Sequence, residues 1–262
     1  MAEYNEHDYL ENDKDKLRDY AWFHGELGMY DEEIADCEKL ITLDPADPYS
    51  YVGLGFAYDR SGQAEKAAEC YRDAMKRFPD HHAAYTNMGN WFEKHEKRDD
   101  LARVCYEKAL ELDPTDYWSL NNIGHVLQKE GKWLEALFYY RNAYDQITEE
   151  GASEDGIRHI CHNLAFAYYR CKQYKKAWYL FNLLVKGPTD NSCASKEFDC
   201  CSSYKTCIYS DFGCVNYRLG NYQDALKLFE KALSFCPRSR NFQRLSKVAM
   251  KKVEDSGKAQ LN

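Results

Sequence analysis

No apolar run in the 262-residue sequence approaches the roughly 18 residues that a membrane-spanning helix needs, so we expect no transmembrane segment. The first residues are acidic and lack the basic and apolar regions of a signal peptide. Positive charge is also in deficit, because 35 Lys and Arg face 43 Asp and Glu for a net charge of −8. We therefore expect a soluble protein without a nucleic-acid or membrane partner.

Motifs of catalysis are missing as well. The sequence contains no glycine-rich phosphate loop, no G-x-S-x-G and no H-E-x-x-H. We expect no catalytic residues, no enzymatic activity and no cofactor.

Cysteine, in contrast, is plentiful, with eleven residues. The number is odd, and most of them fall inside helical patterns rather than at the spacings of a disulfide framework. Cys37, Cys70 and Cys105 recur near one point of successive copies of a repeat, which is typical of a buried small residue. This usage predicts a reducing compartment, the cytoplasm.

A pattern of about 34 residues recurs along the chain. Each copy has a glycine within a first apolar stripe, then an alanine and an aromatic residue in a second stripe, and usually a proline. The glycines of three successive copies, 34 and 35 residues apart, are Gly55, Gly89 and Gly124, and the alanines are Ala67, Ala102 and Ala136. A period of this length is typical of helical repeats that stack into a solenoid.

Each copy predicts two helices joined by a turn. Asp47 and Pro48 have the residue types of an N-cap and a first helical position, and Gly62 is typical of a left-handed C-terminal residue. The second helix is predicted over 64–77, since Pro79 ends it. Gly28, Gly62, Gly131 and Gly220 mark the same turn in four copies.

These residues resemble the tetratricopeptide repeat family, over nearly the whole chain. Six repeats are predicted, at 14–47, 48–81, 82–116, 117–150, 157–189 and 206–239. The first departs from the pattern, because Glu33 stands where a small residue is expected and Ala21 replaces the glycine. The resemblance implies an all-α fold, a right-handed superhelical solenoid of about six helix-turn-helix repeats whose first helices line a concave groove.

The remaining segments complete the predicted organisation. Residues 1–13 form an acidic N-terminal segment, and 14–239 form the repeat array. Two insertions break the period, an acidic surface loop near 148–156 and a cysteine-rich stretch near 187–205. A capping helix is predicted over 240–254. The tail at 255–262 is predicted to be disordered.

Three asparagines occupy the sixth position of successive first helices: Asn87, Asn122 and Asn163. In the family that position faces the groove, and the arrangement resembles an asparagine ladder that holds a peptide backbone. An asparagine both donates to and accepts from one peptide unit, whatever the side chains of the ligand. The second repeat has Gly53 at this position and the sixth has Asp211.

Aromatic and imidazole side chains at neighbouring positions are the other predicted peptide-binding residues. They are Tyr49, Phe56, Trp118, His125, His159, His162 and Phe166. The cationic clamp with which some family members bind acidic peptides is missing, because Trp118 and Asn122 stand where Lys and Arg are required. We therefore predict an adaptor that binds an extended segment of a protein partner, and a basic or neutral segment suits its acidic surface best.

Two alternatives stay open from the residues alone. The first is self-assembly into a homo-oligomer through the irregular first repeat and its aromatic residues, such as Trp22 and Phe23. The second is a metal- or redox-sensing adaptor that uses Cys193, Cys200, Cys201 and Cys207. The cysteines lack the tight pairs of usual zinc sites, and His159 and His162 have no carboxylate at fixed spacing, so we expect no bound metal.

Overall fold

The structure, a computed structural model, describes residues 13–151, 153–186 and 204–259. Within these ranges the backbone forms thirteen α-helices and one π-helical turn, with no strand. The helices are α1 Lys14–Glu26, α2 Tyr30–Leu43, α3 Pro48–Arg60, α4 Ala64–Arg77, α5 His82–Trp91, α6 Asp99–Leu112, α7 Tyr117–Lys129, α8 Trp133–Glu150, α9 Glu154–Arg170, α10 Tyr174–Lys186, α11 Tyr204–Arg218, α12 Tyr222–Phe235 and α13 Arg240–Ala259. None of these helices is both long and apolar enough to cross a lipid bilayer.

The helices belong to two compact units, Met1–Val126 and Leu127–Asn262, whose boundary falls inside α7. In the first unit, each of the helices α1 to α6 packs on the next in the chain, and α3 also contacts α5. In the second unit α8 to α13 do the same, and α9 also contacts α11. The first helices of repeats two and three, and those of repeats five and six, therefore lie side by side.

The predicted helix ends are confirmed. Asp47 caps α3 by accepting a hydrogen bond from the backbone N–H of Tyr49, and Pro48 is the first residue of the helix. α4 covers Ala64–Arg77 as predicted. The turn glycines have left-handed φ values of 75° to 84°, at Gly28, Gly62, Gly131 and Gly220. Lys97 and Lys172 adopt the left-handed conformation in two other repeats, where the sequence has no glycine to predict it.

An aromatic ring of the second helix packs into the notch left by the glycine of the first helix. A Cβ placed on Gly55 would lie 2.5 Å from Cε1 of Tyr71, and one on Gly213 would lie 2.5 Å from Cε1 of Phe229. Gly89 meets the ring of Tyr106 in the same way. Real Cβ atoms do not approach carbon atoms so closely, so each glycine sets the spacing of its helix pair. The rings are almost fully buried and form the centre of each repeat's core.

The third repeat contains one residue more than the second between its glycine and its alanine. The structure places this residue in a π-helical turn, Phe92–Glu96, that continues α5. A π-turn is a one-residue insertion within an α-helix, so the notch and the ring keep their register on both sides of it.

The prediction of an acidic surface loop over 148–156 is wrong. α8 continues to Glu150 and α9 begins at Glu154, so the insertion lengthens both helices, to 18 and 17 residues. Gly151 ends α8 with a left-handed φ of 66°, and the hydroxyl of Ser153 caps α9 by accepting from the N–H of Gly156. Glutamate is a good helix former, so an acidic run next to a helix extends it.

The chain ends also differ from the prediction. α13 runs to Ala259, beyond the predicted bound of 254, so the part of the tail predicted to be disordered at 255–259 is helical. α11 begins at Tyr204, within the stretch assigned to the second insertion. The rest of that insertion (187–203), residues 1–12 and residues 260–262 lie outside the described residues. Asp13 caps α1 by accepting from the N–H of Lys16.

The ring-and-notch packing predicts opposite effects for two glycines of α3. Gly55→Ala drives a methyl group into the ring of Tyr71, so the free energy of unfolding falls by about 1–3 kcal/mol. Gly53→Ala brings its methyl group only to 3.6 Å from Sγ of Cys37, an ordinary contact. Its better helix propensity therefore leaves stability unchanged or raises it by up to about 1 kcal/mol. Urea unfolding followed by circular dichroism measures both, and equal changes in the two variants contradict the packing argument.

Candidate functional site

The predicted binding residues of the first unit lie on its first helices, and the three large aromatic ones are accessible to solvent. Tyr49 is 61% exposed, Phe56 46% and Trp118 41%. The ring of Tyr49 also meets His81, the N-cap residue of α5, edge-on, with 4.6 Å between ring centroids. An exposed aromatic ring held by a neighbouring ring is suited to contact a partner, because little side-chain freedom remains to be lost.

The asparagines of the predicted ladder are engaged within the protein itself. Nδ2 of Asn87 donates to the carbonyl of Ala83 at 2.9 Å, in the preceding turn of its own helix. Nδ2 of Asn122 donates to Oδ1 of Asn90 at 2.8 Å. In the second unit, Nδ2 of Asn163 lies 3.4 Å from Nε2 of His159. A peptide backbone would have to share these amides or displace their present partners.

The bond from Asn122 belongs to a polar chain that joins the third and fourth repeats. The hydroxyl of Tyr106 lies 2.8 Å from both Oδ1 of Asn90 and Oε2 of Glu93, and shares its proton between them. Oε1 of Glu93 lies 3.2 Å from Nδ1 of His125. Neither Asn90 nor Glu93 is among the residues predicted from the sequence, although Asn90 follows the sixth position of α5 by three residues and therefore lies near the same helix face. Glu93 belongs to the π-helical turn and has no such spacing signal.

A second polar cluster is buried between α5 and the start of α7. The carboxylate of Asp116 accepts from the hydroxyl of Thr86 at 2.8 Å and caps α7 through the N–H of Ser119 at 3.3 Å. Nδ1 of His82 lies 3.5 Å from the same oxygen. Burial alone would raise the pKa of Asp116, but the interactions with His82, Ser119 and Thr86 outweigh it and hold the pKa below the usual range. The same carboxylate raises the pKa of His82 despite its partial burial.

This cluster predicts a pH-dependent contribution to stability. The raised pKa of His82 stabilises the fold fully below about 6.5, and the contribution is lost as the pH rises through the folded value. The lowered pKa of Asp116 contributes above about 3.8, and that part is lost as the pH falls through the folded value. We expect Asp116→Asn, which keeps a capping side chain but removes the charge, to be most destabilising between about pH 4 and 6.5.

Asp116→Ala removes the cap and the acceptor together, so it costs about 2–4 kcal/mol of unfolding free energy. Denaturant unfolding of both variants and the wild type at pH 5 and pH 8 provides the test. A cost of Asp116→Asn that is the same at both values would contradict the role of the charge.

The predicted residues His162 and Phe166 of the second unit contact other side chains of that unit. Nε2 of His162 lies 3.2 Å from Oδ2 of Asp211, the sixth-position residue of the next first helix. Phe166 meets Trp133 edge-on at 5.7 Å, and the guanidinium of Arg170 lies 3.9 Å from the centre of the Trp133 ring. Within 13–151, 153–186 and 204–259, no three His, Cys, Asp or Glu side chains form a group able to hold a metal ion.

Burial makes most thiols of the described residues poor nucleophiles. It raises the pKa of Cys37 and Cys161 to about 12, and of Cys70, Cys105 and Cys214 to about 11. The pKa values of Cys171 and Cys207 are raised for the same reason. The thiolate is the reactive form, so these positions are poorly suited to redox sensing. Cys193, Cys200 and Cys201 of the redox hypothesis lie outside the described residues.

A cavity of about 170 Å³ is lined by residues of α1 and α3, the first helices of repeats one and two, and by residues of α2. We call it the first-repeat cavity. It is lined by Arg18, Ala21, Trp22, Glu33, Cys37, Leu40, Tyr49, Ser50, Gly53 and Phe56. Two predicted residues, Tyr49 and Phe56, therefore share a site that the sequence analysis did not predict. The departure of Glu33 from the repeat pattern was the signal that could have located it.

Profiles of the tetratricopeptide repeat match residues 19–47, 48–81, 82–116, 105–138 and 208–239, which together exceed half of the chain. The helix pairs described above have the same period. The chain belongs to the tetratricopeptide repeat family. The fifth predicted repeat, 157–189, lies outside these matches, yet α9 and α10 form a helix pair there as in the others.

Curated relatives of this tetratricopeptide repeat protein are longer proteins. Tetratricopeptide repeat protein 37 of Xenopus laevis is 26% identical over 171 residues, 64% of this chain and 9% of that protein. BBSome complex member BBS4 of Bos taurus is 23% identical over 247 residues, 89% and 40% of the two chains. Anaphase-promoting complex subunit CDC16 of Saccharomyces cerevisiae is 23% identical over 184 residues, which are 70% of this chain and 21% of that protein. The chain spans less than half the length of each.

Solved structures show the same fold at low identity. The APC/C hetero-tetramer Cut9–Hcn1 gives a TM-score of 0.73 at 18% identity, over 92% of this chain and 44% of that chain. The pilF protein of Pseudomonas aeruginosa gives a TM-score of 0.69 at 15% identity, over 89% of this chain and 96% of that chain. YrrB, described as a tetratricopeptide repeat protein with an unusual peptide-binding site, gives 0.57 at 18% identity, over 82% and 97%.

Proposed function

We propose that this protein is a non-enzymatic scaffold that binds an extended segment of a partner protein along the first-helix surface of its repeats. The observation that carries the proposal is the exposure of Tyr49 and Phe56 on α3 and of Trp118 on α7, two first helices with residues in the first unit. Large aromatic side chains at such positions are common binding anchors. His159 and Phe166 occupy the positions of Tyr49 and Phe56 in the second unit, with Asn163 at the sixth position between them, and extend the proposal to it.

Two further observations support protein partners. The BBSome and anaphase-promoting complex relatives are named as members of multi-subunit complexes. Residues 14–60 contain eleven Asp and Glu against five Lys and Arg, a net charge of −6, which favours basic segments. Affinity is moderate in this proposal, because an extended segment loses conformational entropy when it is ordered. The cysteine usage of the sequence supports the cytoplasm as the location.

Selection of a phage-displayed library of random twelve-residue peptides on the full chain tests this function. Fluorescence polarisation then gives the affinity of a selected peptide for the wild type and for Tyr49→Ala and Trp118→Ala. We expect one or both variants to bind at least about tenfold more weakly, since a buried aromatic anchor contributes more than about 1.4 kcal/mol.

Val104→Ala is the matched control, because Val104 is 62% exposed on the second helix α6. It should bind like the wild type. If Val104→Ala no longer binds the peptide, or if Tyr49→Ala and Trp118→Ala both bind it with full affinity, the binding surface lies on another face of the repeats.

A second candidate function, self-assembly, is favoured by an exposed apolar face on α1. Trp22 is 67% exposed, Phe23 50% and Leu27 58%. Adjacent exposed apolar side chains often mark an interface. This candidate predicts a sedimentation coefficient that rises with concentration and falls back in Phe23→Ser, whose residue does not line the first-repeat cavity. A monomer at every concentration up to about 100 μM, well above a micromolar Kd, excludes it.

A further inference from the structure

The first repeat lacks the buried aromatic ring on which the other repeats are built. Thirty-four residues before Tyr71 the sequence has Cys37, and in the same register Ala21 replaces Gly55. The corresponding rings elsewhere are at most 2% exposed, at Tyr71, Tyr106, Tyr140, Phe181 and Phe229. A cysteine side chain is much smaller than a phenol ring, so the substitution leaves space at this point. The first-repeat cavity lies there, with Ala21 and Cys37 in its wall.

Gly53 keeps the cavity open on the side of the second repeat. It stands at the sixth position, where the next two first helices have asparagine. A Cβ at Gly53 would meet only Sγ of Cys37 within 4 Å, at 3.6 Å. The lining residue Gly53 therefore leaves room for a side chain that enters from solvent between α1 and α3.

Glu33 belongs to the lining of this space, and one oxygen of its carboxylate has no hydrogen-bond partner. Its side chain is only 7% exposed, and Oε2 is fully buried and unbonded. Oε1 lies 3.7 Å from Nη1 of Arg60, which is long for an ion pair. Burial raises the pKa of Glu33, and the charge of Arg60 only partly offsets this. A buried carboxylate with one unused oxygen is unfavourable unless a donor or cation completes it.

The guanidinium of Arg60 is already committed to other contacts. Nη2 of Arg60 donates to the carbonyl of Gly25, and the guanidinium lies over the rings of Tyr30 and Phe56 at 5.1 and 5.5 Å. It is thus anchored beside the cavity and leaves Oε2 of Glu33 to another group.

The rim of the cavity is aromatic and its surroundings are acidic. Trp22, Tyr49 and Phe56 all line it and are exposed by 46% or more. The faces of such rings attract cations, an arginine most strongly because its planar group stacks. The cation in the lining, Arg18, is matched by Asp15 at 3.2 Å and Asp47 at 3.3 Å. Residues 14–60 together have the net charge of −6 given above.

We propose that the first-repeat cavity binds a cationic side chain, arginine in preference to lysine, presented by a partner protein. The guanidinium enters between Trp22, Tyr49 and Phe56 and pairs with the carboxylate of Glu33. The inference rests on the proposed function, since it assigns the chemistry of one subsite of the partner segment. It also gives a physical reason for the irregular first repeat, in which a core ring is exchanged for a carboxylate.

The direct test uses Nα-acetyl-arginine amide and its neutral isostere, Nα-acetyl-citrulline amide, with the full chain labelled with ¹⁵N at tryptophan. The indole signal of Trp22, assigned with Trp22→Phe, reports occupancy. A ligand of this size should bind with a Kd on the order of 1 mM. We expect citrulline to bind at least about tenfold more weakly. Equal binding of the two amides overturns the proposal, because the charge then contributes nothing.

Two substitutions test the named residues. Glu33→Gln keeps an acceptor for Arg60 but removes the charge, and we expect it to weaken the arginine amide at least about tenfold. Gly53→Leu fills the cavity and should abolish binding, whereas the control Val104→Ala, on α6 and outside the cavity lining, should bind the arginine amide like the wild type. Circular dichroism melts verify that each variant is folded. Unchanged binding in folded Glu33→Gln or Gly53→Leu contradicts the assignment of the site.

Trp118→Ala separates this inference from the proposed function. Trp118 lies outside the cavity lining, so that variant should bind the arginine amide normally while it loses a selected peptide. If the selected peptide depends on Trp118 but not on Glu33 or Gly53, the scaffold function stands and the cavity assignment fails. If the arginine amide binds as expected but no peptide depends on Trp118, the cavity stands and the extended-segment function fails.

Discussion

The contact between a second-helix ring and a first-helix glycine is the interaction on which the second, third and sixth repeats depend. The ring occupies the volume that a Cβ would need, so the two helices approach to a distance that only the glycine–aromatic pair permits at Gly55, Gly89 and Gly213. Cores are packed to the density of a crystal, and a fixed distance at the centre of each pair therefore fixes the surface that the pair presents. The π-turn after α5 shows how strongly the contact is kept, because the inserted residue is absorbed without a shift in register.

In the first repeat this contact is missing, and the residues that replace it are less favourable for stability but provide a polar site. The first repeat has Cys37 in place of the ring and Glu33 in place of an alanine, so the space that is core elsewhere becomes a cavity with a buried charge. Neither change helps the fold, since one removes apolar contacts and the other desolvates a carboxylate. Departures from local rules without a gain in stability are typical of functional sites. The same reasoning does not apply to Asp116, whose buried carboxylate is completed by Thr86, Ser119 and His82.

The sequence predicts what is periodic and misses what depends on a single neighbour. Caps, turns and the ends of α4 follow from Asp47, Pro48 and Gly62, because local chemistry decides them. At 148–156 acidic composition does not separate a loop from a helix, because glutamate is exposed in both and favours helix, and α8 and α9 extend into this segment. The engagement of Asn122 by Asn90 has no signal in spacing along one helix, because the partner lies on the neighbouring repeat. The first-repeat cavity likewise arises from an absent ring.

The asparagine ladder and the cavity differ in how they can discriminate between partners. The amides of Asn87 and Asn122 already form hydrogen bonds within the protein. They can bond to any peptide backbone, and the binding free energy gained is only the difference between the bond to the peptide and the internal bond that it replaces. A buried carboxylate with an unused oxygen gains much more from a cation than from a neutral group, since the empty site already carries the desolvation cost. Specificity is a difference between affinities, and an unfavourable unbound state enlarges that difference. The irregular first repeat would therefore select the partner, while the regular repeats would hold whichever segment follows.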